Sequence, residues 1–258
     1  TASGANSLQN NTTGQDNTAY GAGSLSSNTT GEGNTAYGAG SLSYNTTGTD
    51  NTASGANSLS SNTTGQDNTA HGVNSLTYNT TGSENTASGL GSLYNNTEGN
   101  YNTASGASSL SSNKTGSENT ASGYNSLYSN TTGSQNTAYG YNGLKNLGFV
   151  STGGNHNTAL GYNAGSGLTK GTNNTFIGYN ANESTNYTTN NTIILGNDNI
   201  EHLRCIASLT KVSDERTKKD ITPSTNLGLE FIKKLNPVKY KRVNPADYPE
   251  PLLDPSYA

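Results

Sequence analysis

The sequence has no tryptophan, no methionine, three phenylalanines and one cysteine in 258 residues; only 28% of its residues are hydrophobic and 12% are charged. A chain this poor in large apolar side chains cannot fill a broad three-dimensional core. The single Cys205 excludes an internal disulfide framework and a cysteine-based metal cluster. There is no run of about eighteen apolar residues, so nothing reads as a membrane-spanning helix. No secretory signal is visible, and the chain starts at Thr1 in mid-repeat without methionine, so it reads as a fragment. A formal net charge of -4 argues against nucleic acid as the main partner. The same scarcity of charge is poorly matched to ordinary disorder. A narrow, repetitive, shallow-cored structure remains, and a conventional globular enzyme built around a cofactor or metal does not.

What the chain has in excess is Asn, at 40 residues, and Gly, at 32. They are periodic. Asn-Thr-Ala begins at Asn17, Asn34, Asn51, Asn68, Asn85, Asn102, Asn119 and Asn136, always 17 residues apart. After a four-residue insertion around Phe149–Gly154 it resumes at Asn157, then degenerates at Asn174 and Asn191. The unit is N-T-A-x-G-x-x-S-L-x-x-N-T-T-G-x-x, with Leu returning in phase from Leu8 to Leu127. Fixed self-similarity of this kind marks a repeat architecture.

Seventeen residues are too few for a helical hairpin repeat, and Gly, Asn and Thr are poor helix formers. The unit suits one coil of a parallel β-solenoid or β-roll: two strands of four to six residues and two turns, about twelve coils in all. The glycines of Ala-x-Gly and Thr-Thr-Gly are expected to supply positive φ at the corners. Ala19, Leu25 and their equivalents are expected to point inward. Stacked coils repeat every ~4.8 Å, so Asn can ladder on Asn and Thr on Thr along a rod about 55 Å long. One Ala and one Leu per coil is a meagre core, and association into a homotrimer is the simplest remedy. The slot after Ala-x-Gly runs Ala22, Ala39, Ala56, Val73, Leu90, Ala107, Tyr124, Tyr141, Tyr162, Tyr179, growing bulkier toward the C-terminus. It reads as a widening packing surface or as surface decoration.

The repeat resembles the left-handed β-roll coils of trimeric autotransporter adhesin heads, whose unit is shorter, and also resembles repeats of phage and large-virus tail-fibre proteins.

All six prolines lie after position 222, and residues 1–203 carry a net -7 (3 basic, 10 acidic) against +3 (10 basic, 7 acidic) for residues 204–258. The reading is a shaft over 1–203, a connector over 204–212 and a small non-repetitive α+β domain over 213–258. Thr225-Asn226 can cap a helix from Leu227 to Leu235, with Leu227, Phe231, Ile232 and Leu235 on one face. Glu230 reaches Lys234 on it, Pro237 ends it, and Val238–Val243 alternates like a strand. In this region Ser213-Asp214-Glu215-Arg216-Thr217-Lys218-Lys219-Asp220-Ile221, followed by a helix and Leu235-Asn236-Pro237-Val238-Lys239-Tyr240, resembles the start of the endosialidase-type intramolecular chaperone. That family is a self-cleaving domain at the C-terminus of trimeric phage fibres, longer than the segment present here, so the resemblance implies that the chain stops inside it. It implies Ser213 as the nucleophile on the Val212–Ser213 bond, Lys218 as its base and Arg216 as a support for developing charge: at most a single-turnover serine-type autoproteolysis. Read without the family, Ser213-Asp214 begins a turn and the lysines are solvated.

Other sites are weak. His71 sits where Tyr20, Tyr37, Ser54 and Tyr139 stand in other coils, and neither His156 nor His202 has ligand-like neighbours. No carboxylates pair at a fixed coil position, so neither a glycosidase nor a calcium repeat is supported. Sequons such as Asn28-Thr29-Thr30 read as turn chemistry.

A strict repeat poses a register problem, because sliding one chain by a whole coil costs only end contacts. The residues after Arg204 are expected to gather three chains first. The reading is a trimeric virion or extracellular fibre that supports attachment to a host-surface glycan or receptor. The alternatives are a bacterial surface adhesin head and an ice- or glycan-binding solenoid.

Overall fold

The computed structural model describes residues 1–149, 154–182 and 187–201. The chain divides into two units, Thr1–Leu203 and Arg204–Ala258, and the described residues lie in the first. The strands in chain order are β1 (Ala2–Ser3), β2 (Thr18–Tyr20), β3 (Thr35–Tyr37), β4 (Thr52–Ser54), β5 (Thr69–His71), β6 (Thr86–Ser88), β7 (Thr103–Ser105), β8 (Thr120–Ser122), β9 (Thr137–Tyr139), β10 (Thr158–Leu160), β11 (Leu168–Lys170), β12 (Thr175–Ile177), β13 (Tyr187–Thr188) and β14 (Ile193–Leu195). Twelve of them form one parallel sheet in the order β1 to β10, β12, β14. Equivalent residues lie opposite one another: Thr18 faces Thr35, Ala19 faces Ala36 and Tyr20 faces Tyr37. The described chain is an all-β parallel solenoid of ~17-residue coils.

From β2 to β9 each coil contributes one three-residue strand, not the two longer strands that the repeat suggests. The reason lies at the Leu position. Leu25, Leu42, Leu59 and their equivalents all adopt a left-handed backbone, φ about 50°, which interrupts any extended run through the second wall. That wall is nevertheless hydrogen-bonded coil to coil: the N–H of Leu25 donates to Ser41 O at 3.0 Å, that of Ser27 to Ser43 O at 2.9 Å and that of Thr29 to Thr46 O at 2.9 Å. A left-handed Leu costs on the order of 1–2 kcal/mol. Burying its side chain recovers roughly that or more, and the Leu at this coil position is fully buried from Leu25 to Leu144, with the strand alanines also fully buried.

The glycines divide by role. Gly21 and its equivalents have φ near 130° and turn the chain out of the strand, as expected. The Thr-Thr-Gly glycines do not have positive φ; they are required for space. A Cβ on Gly31 would lie 2.4 Å from Gly48 O and 2.5 Å from Asn28 Oδ1.

The second coil wall changes after the insertion. Leu147 and Leu168 take the place held by Asn28, Asn45 and their equivalents in earlier coils, and both are fully buried. There β11 and β13 pair as a short parallel sheet of their own. One coil position further, Gly165 replaces the core Leu and Phe176 replaces the strand Ala; a Cβ on Gly165 would come 2.7 Å from Phe176 Cδ2. The large ring fills the room that the missing Leu leaves, so the shaft carries one non-repetitive station of its own.

Candidate functional site

Beside the Ala and Leu core, the coils up to Asn130 hold a polar scaffold built from two asparagines. In the first ladder Nδ2 of each Asn donates to Oδ1 of the Asn one coil back, as in Asn51 to Asn34 at 3.0 Å. That Oδ1 also accepts the backbone N–H of Asn51 at 3.1 Å. The ladder runs unbroken from Asn17 to Asn174, crossing the insertion through Asn157 to Asn136 at 3.0 Å. The second ladder joins Asn11, Asn28, Asn45, Asn62 and onward, with Nδ2–Oδ1 distances of 2.8 Å at these steps. Both ladders converge on the Thr-Thr-Gly carbonyl: Gly48 O accepts Asn45 Nδ2 at 3.0 Å and Asn34 Nδ2 at 2.8 Å. Both lone pairs of that oxygen are thus used, as a buried carbonyl requires. The second ladder ends at Asn130, whose Oδ1 has no hydrogen-bond partner among the described residues because the next coil presents Leu147.

This chemistry settles several expectations. The threonines do not ladder hydroxyl to hydroxyl: Thr29 Oγ1 donates to Thr46 O at 2.9 Å, and Thr46 Oγ1 to Thr63 O at 3.0 Å. The sequon asparagines Asn28, Asn45 and Asn62 are fully buried with Nδ2 committed to the ladder, so in the folded coil that nitrogen is closed to glycosylation.

Outside the wall, titratable groups are scattered. His71 is the exposed last residue of β5, and His156 sits at an exposed left-handed corner. Among the described residues no three His, Cys, Asp or Glu side chains gather as a metal site would need, and no helix is long and apolar enough to cross a membrane. Hydrogen bonding to Glu84 and that carboxylate's charge, with a smaller contribution from Glu118, push the Tyr101 phenol above the usual tyrosine range. The Tyr94 phenol is raised by its hydrogen bond to Tyr78, with the hydroxyls 3.4 Å apart, and then by burial. Both shifts keep the phenols protonated at neutral pH; neither group is activated as a base. A depression of about 350 Å³ lined by Asn180, Asn182, Tyr187, Ile194 and Asp198 closes the described shaft and gathers no nucleophile with a base.

The sequence-derived catalytic set, Ser213, Lys218 and Arg216 with the Val212–Ser213 bond, lies outside the described residues, as do the helix at 227–235 and the strand at 238–243. The feature that residue reading missed is the double ladder's dependence on the Thr-Thr-Gly carbonyl; the invariant spacing Asn-x-x-Gly from Asn11 to Asn130 was its signal.

Residues 213–250 match the model of the family described as chaperone of endosialidase. No curated protein and no solved structure matches the chain.

Proposed function

We propose, from the premise that a β-solenoid shaft here leads into an endosialidase-chaperone segment at 213–250, that the protein is the shaft of a trimeric extracellular or virion fibre, folded under its own C-terminal chaperone and supporting attachment to a host surface. The observation that carries the reading is this chaperone match directly following coils whose outer geometry repeats every 17 residues. Three such chains are helped to a common register by an irregular segment, because the coils that carry Asn-Thr-Ala differ little from one to the next.

Self-cleavage is the second part of the proposal. Ser213 Oγ attacks the Val212 carbonyl carbon, its proton passes through Lys218 to the departing Ser213 nitrogen, and an ester links Val212 to the serine oxygen. Water then hydrolyses the ester, leaving a Val212 carboxylate and a Ser213 N-terminus with its hydroxyl restored. Lys218 acts only when neutral, so burial or the adjacent Lys219 charge must depress its pKa by several units. Arg216 stabilises the oxyanion. Removing the guide segment after assembly makes the shaft kinetically trapped.

Intact-mass measurement of the purified chain tests this. The wild type is expected to yield a fragment ending at Val212 and one beginning at Ser213, together heavier than the parent by one water. Ser213→Ala and Lys218→Met are expected to stay whole. Cleavage that persists in Ser213→Ala overturns the assigned nucleophile.

A further inference from the structure

The outward face of the solenoid's main sheet carries no charge. In every strand the middle residue is inward, Ala or its replacement, and the first and third face solvent or are half-buried. The first-residue row is Thr from β2 through β12; the third-residue row reads Tyr20, Tyr37, Ser54, His71, Ser88, Ser105, Ser122, Tyr139, Leu160, Ile177, Leu195. Neither row contains Asp, Glu, Lys or Arg over the length of the sheet, although residues 1–203 carry 10 acidic side chains against 3 basic ones.

Within this uncharged face, the last strands are also apolar. Leu160 is 52% exposed, Ile177 40% and Leu195 47%, and Ile193 joins them at 71% where the strands of this sheet from β2 to β12 have Thr. One bend further along the same coils, Tyr124, Tyr141, Tyr162 and Tyr179 form a continuous parallel stack with ring centroids 5.3, 5.1 and 5.4 Å apart. Aliphatic residues exposed side by side over consecutive strands are the kind of patch that marks an interaction surface.

We infer that this face, centred on Leu160, Ile177 and Leu195 and bordered by the Tyr141–Tyr179 stack, is where parallel copies of this chain meet. The inference rests on the trimeric reading above and names its contact surface. Two observations select another copy as the occupant. Side chains that recur at the coil spacing of ~4.8 Å match a partner surface with the same period, which a second chain in register supplies. Like-charged chains approach with less repulsion across this uncharged face than across the corner that holds Asp16, Asp50, Asp67, Glu84 and Glu118. The Ser and Thr rows of β6 to β8 are the part of the sheet suited to an ordered array of water or sugar hydroxyls; Leu160, Ile177 and Leu195 offer such ligands no hydrogen bonds.

The test uses the full chain and three preparations: wild type, Leu160→Asp/Ile177→Asp, and Ser88→Asp/Ser105→Asp, which places the same charges on the same face among polar strands. Mass in solution is measured by light scattering, and circular dichroism with a thermal melt checks that the coils fold. The wild type and Ser88→Asp/Ser105→Asp are expected as trimers, and Leu160→Asp/Ile177→Asp as folded monomers or as trimers dissociating at a concentration at least about tenfold higher. A trimeric wild type whose Leu160→Asp/Ile177→Asp form is equally trimeric overturns the surface while leaving the trimeric reading intact; a monomeric wild type overturns both. If the double variant fails to fold, an Ile177→Cys/Cys205→Ser form, which leaves the patch otherwise unchanged and removes the native thiol, decides. Disulfide-linked copies under mild oxidation support the face, and a well-folded trimer that gives none overturns it.

Discussion

At the level of single residues, the coil is governed by two kinds of glycine that sequence makes look alike. Gly65 has ordinary backbone torsions but no room, with Gly82 O 2.3 Å and Asn62 Oδ1 2.4 Å from the position of a Cβ. Gly23 has φ of +69° and nothing within 4 Å. Gly65→Ala must therefore push apart two coils and disturb both Asn ladders, and is expected to cost about 2–3 kcal/mol. Gly23→Asn is expected to change stability by no more than ~0.5 kcal/mol, because Asn57 and Asn74 already occupy the equivalent corner at φ 56° and 57°. Urea midpoints of the two variants measure the contrast; equal midpoints contradict the division. The repeating glycines were legible in the sequence. Their separate reasons were not, since a demand for torsion and a demand for space leave the same letter.

At the level of the coil, stability comes from pairing unlike irregularities as much as from the repeat. Phe176 stands in the Ala row and Gly165 in the Leu row, and the two are in contact, so neither can revert alone. Phe176→Ala is expected to leave a cavity costing about 3–5 kcal/mol. Gly165→Leu alone is expected to clash with the ring. The double variant restores the arrangement of the earlier coils, with a left-handed Leu over a strand Ala, and is expected to regain most of the loss. A denaturation cycle of the two singles and the double reads a coupling of at least ~1 kcal/mol; simple additivity contradicts the compensation. The second strand of each coil is the matching case on the expectation side. The 17-residue unit suits two strands, yet the Leu takes φ near 50° and the wall is held by inter-coil bonds without extended geometry.

For the whole molecule, the Asn ladders alter the stability argument for association. One Ala and one Leu per coil is a small apolar core, but the coils up to Asn130 also bury two asparagines with their amides engaged. Each of those bonds contributes about 0.5–1.5 kcal/mol net, and leaving one unmade costs more. In the proposed trimer, association would then serve less to hold a coil together than to cover Leu160, Ile177 and Leu195. The irregular station at Leu147, Gly165 and Phe176 marks position within one chain; it is buried, so it does not tell one chain where its neighbour begins. Removing residues 213–258 is accordingly expected to leave coils with native circular dichroism but to lose a uniform trimer in favour of staggered or aggregated species, seen by light scattering and by cross-links between non-equivalent coils. Soluble, aligned trimers from that deletion contradict the guiding role of the C-terminal segment.

The 17-residue spacing by itself determined the coil, the inward Ala and Leu and the Asn stack, because identical side chains at one period have only each other to meet when coils pile up. The Ser213–Ile221 run likewise indicated the chaperone segment in advance of the match at 213–250. Only the tertiary structure decided that the coil has one strand, that the Thr hydroxyls turn to backbone carbonyls and that a Gly carbonyl anchors both ladders. Those outcomes depend on which neighbour one coil away lies within hydrogen-bond reach, and that distance is set by backbone torsions, which the repeat period does not encode.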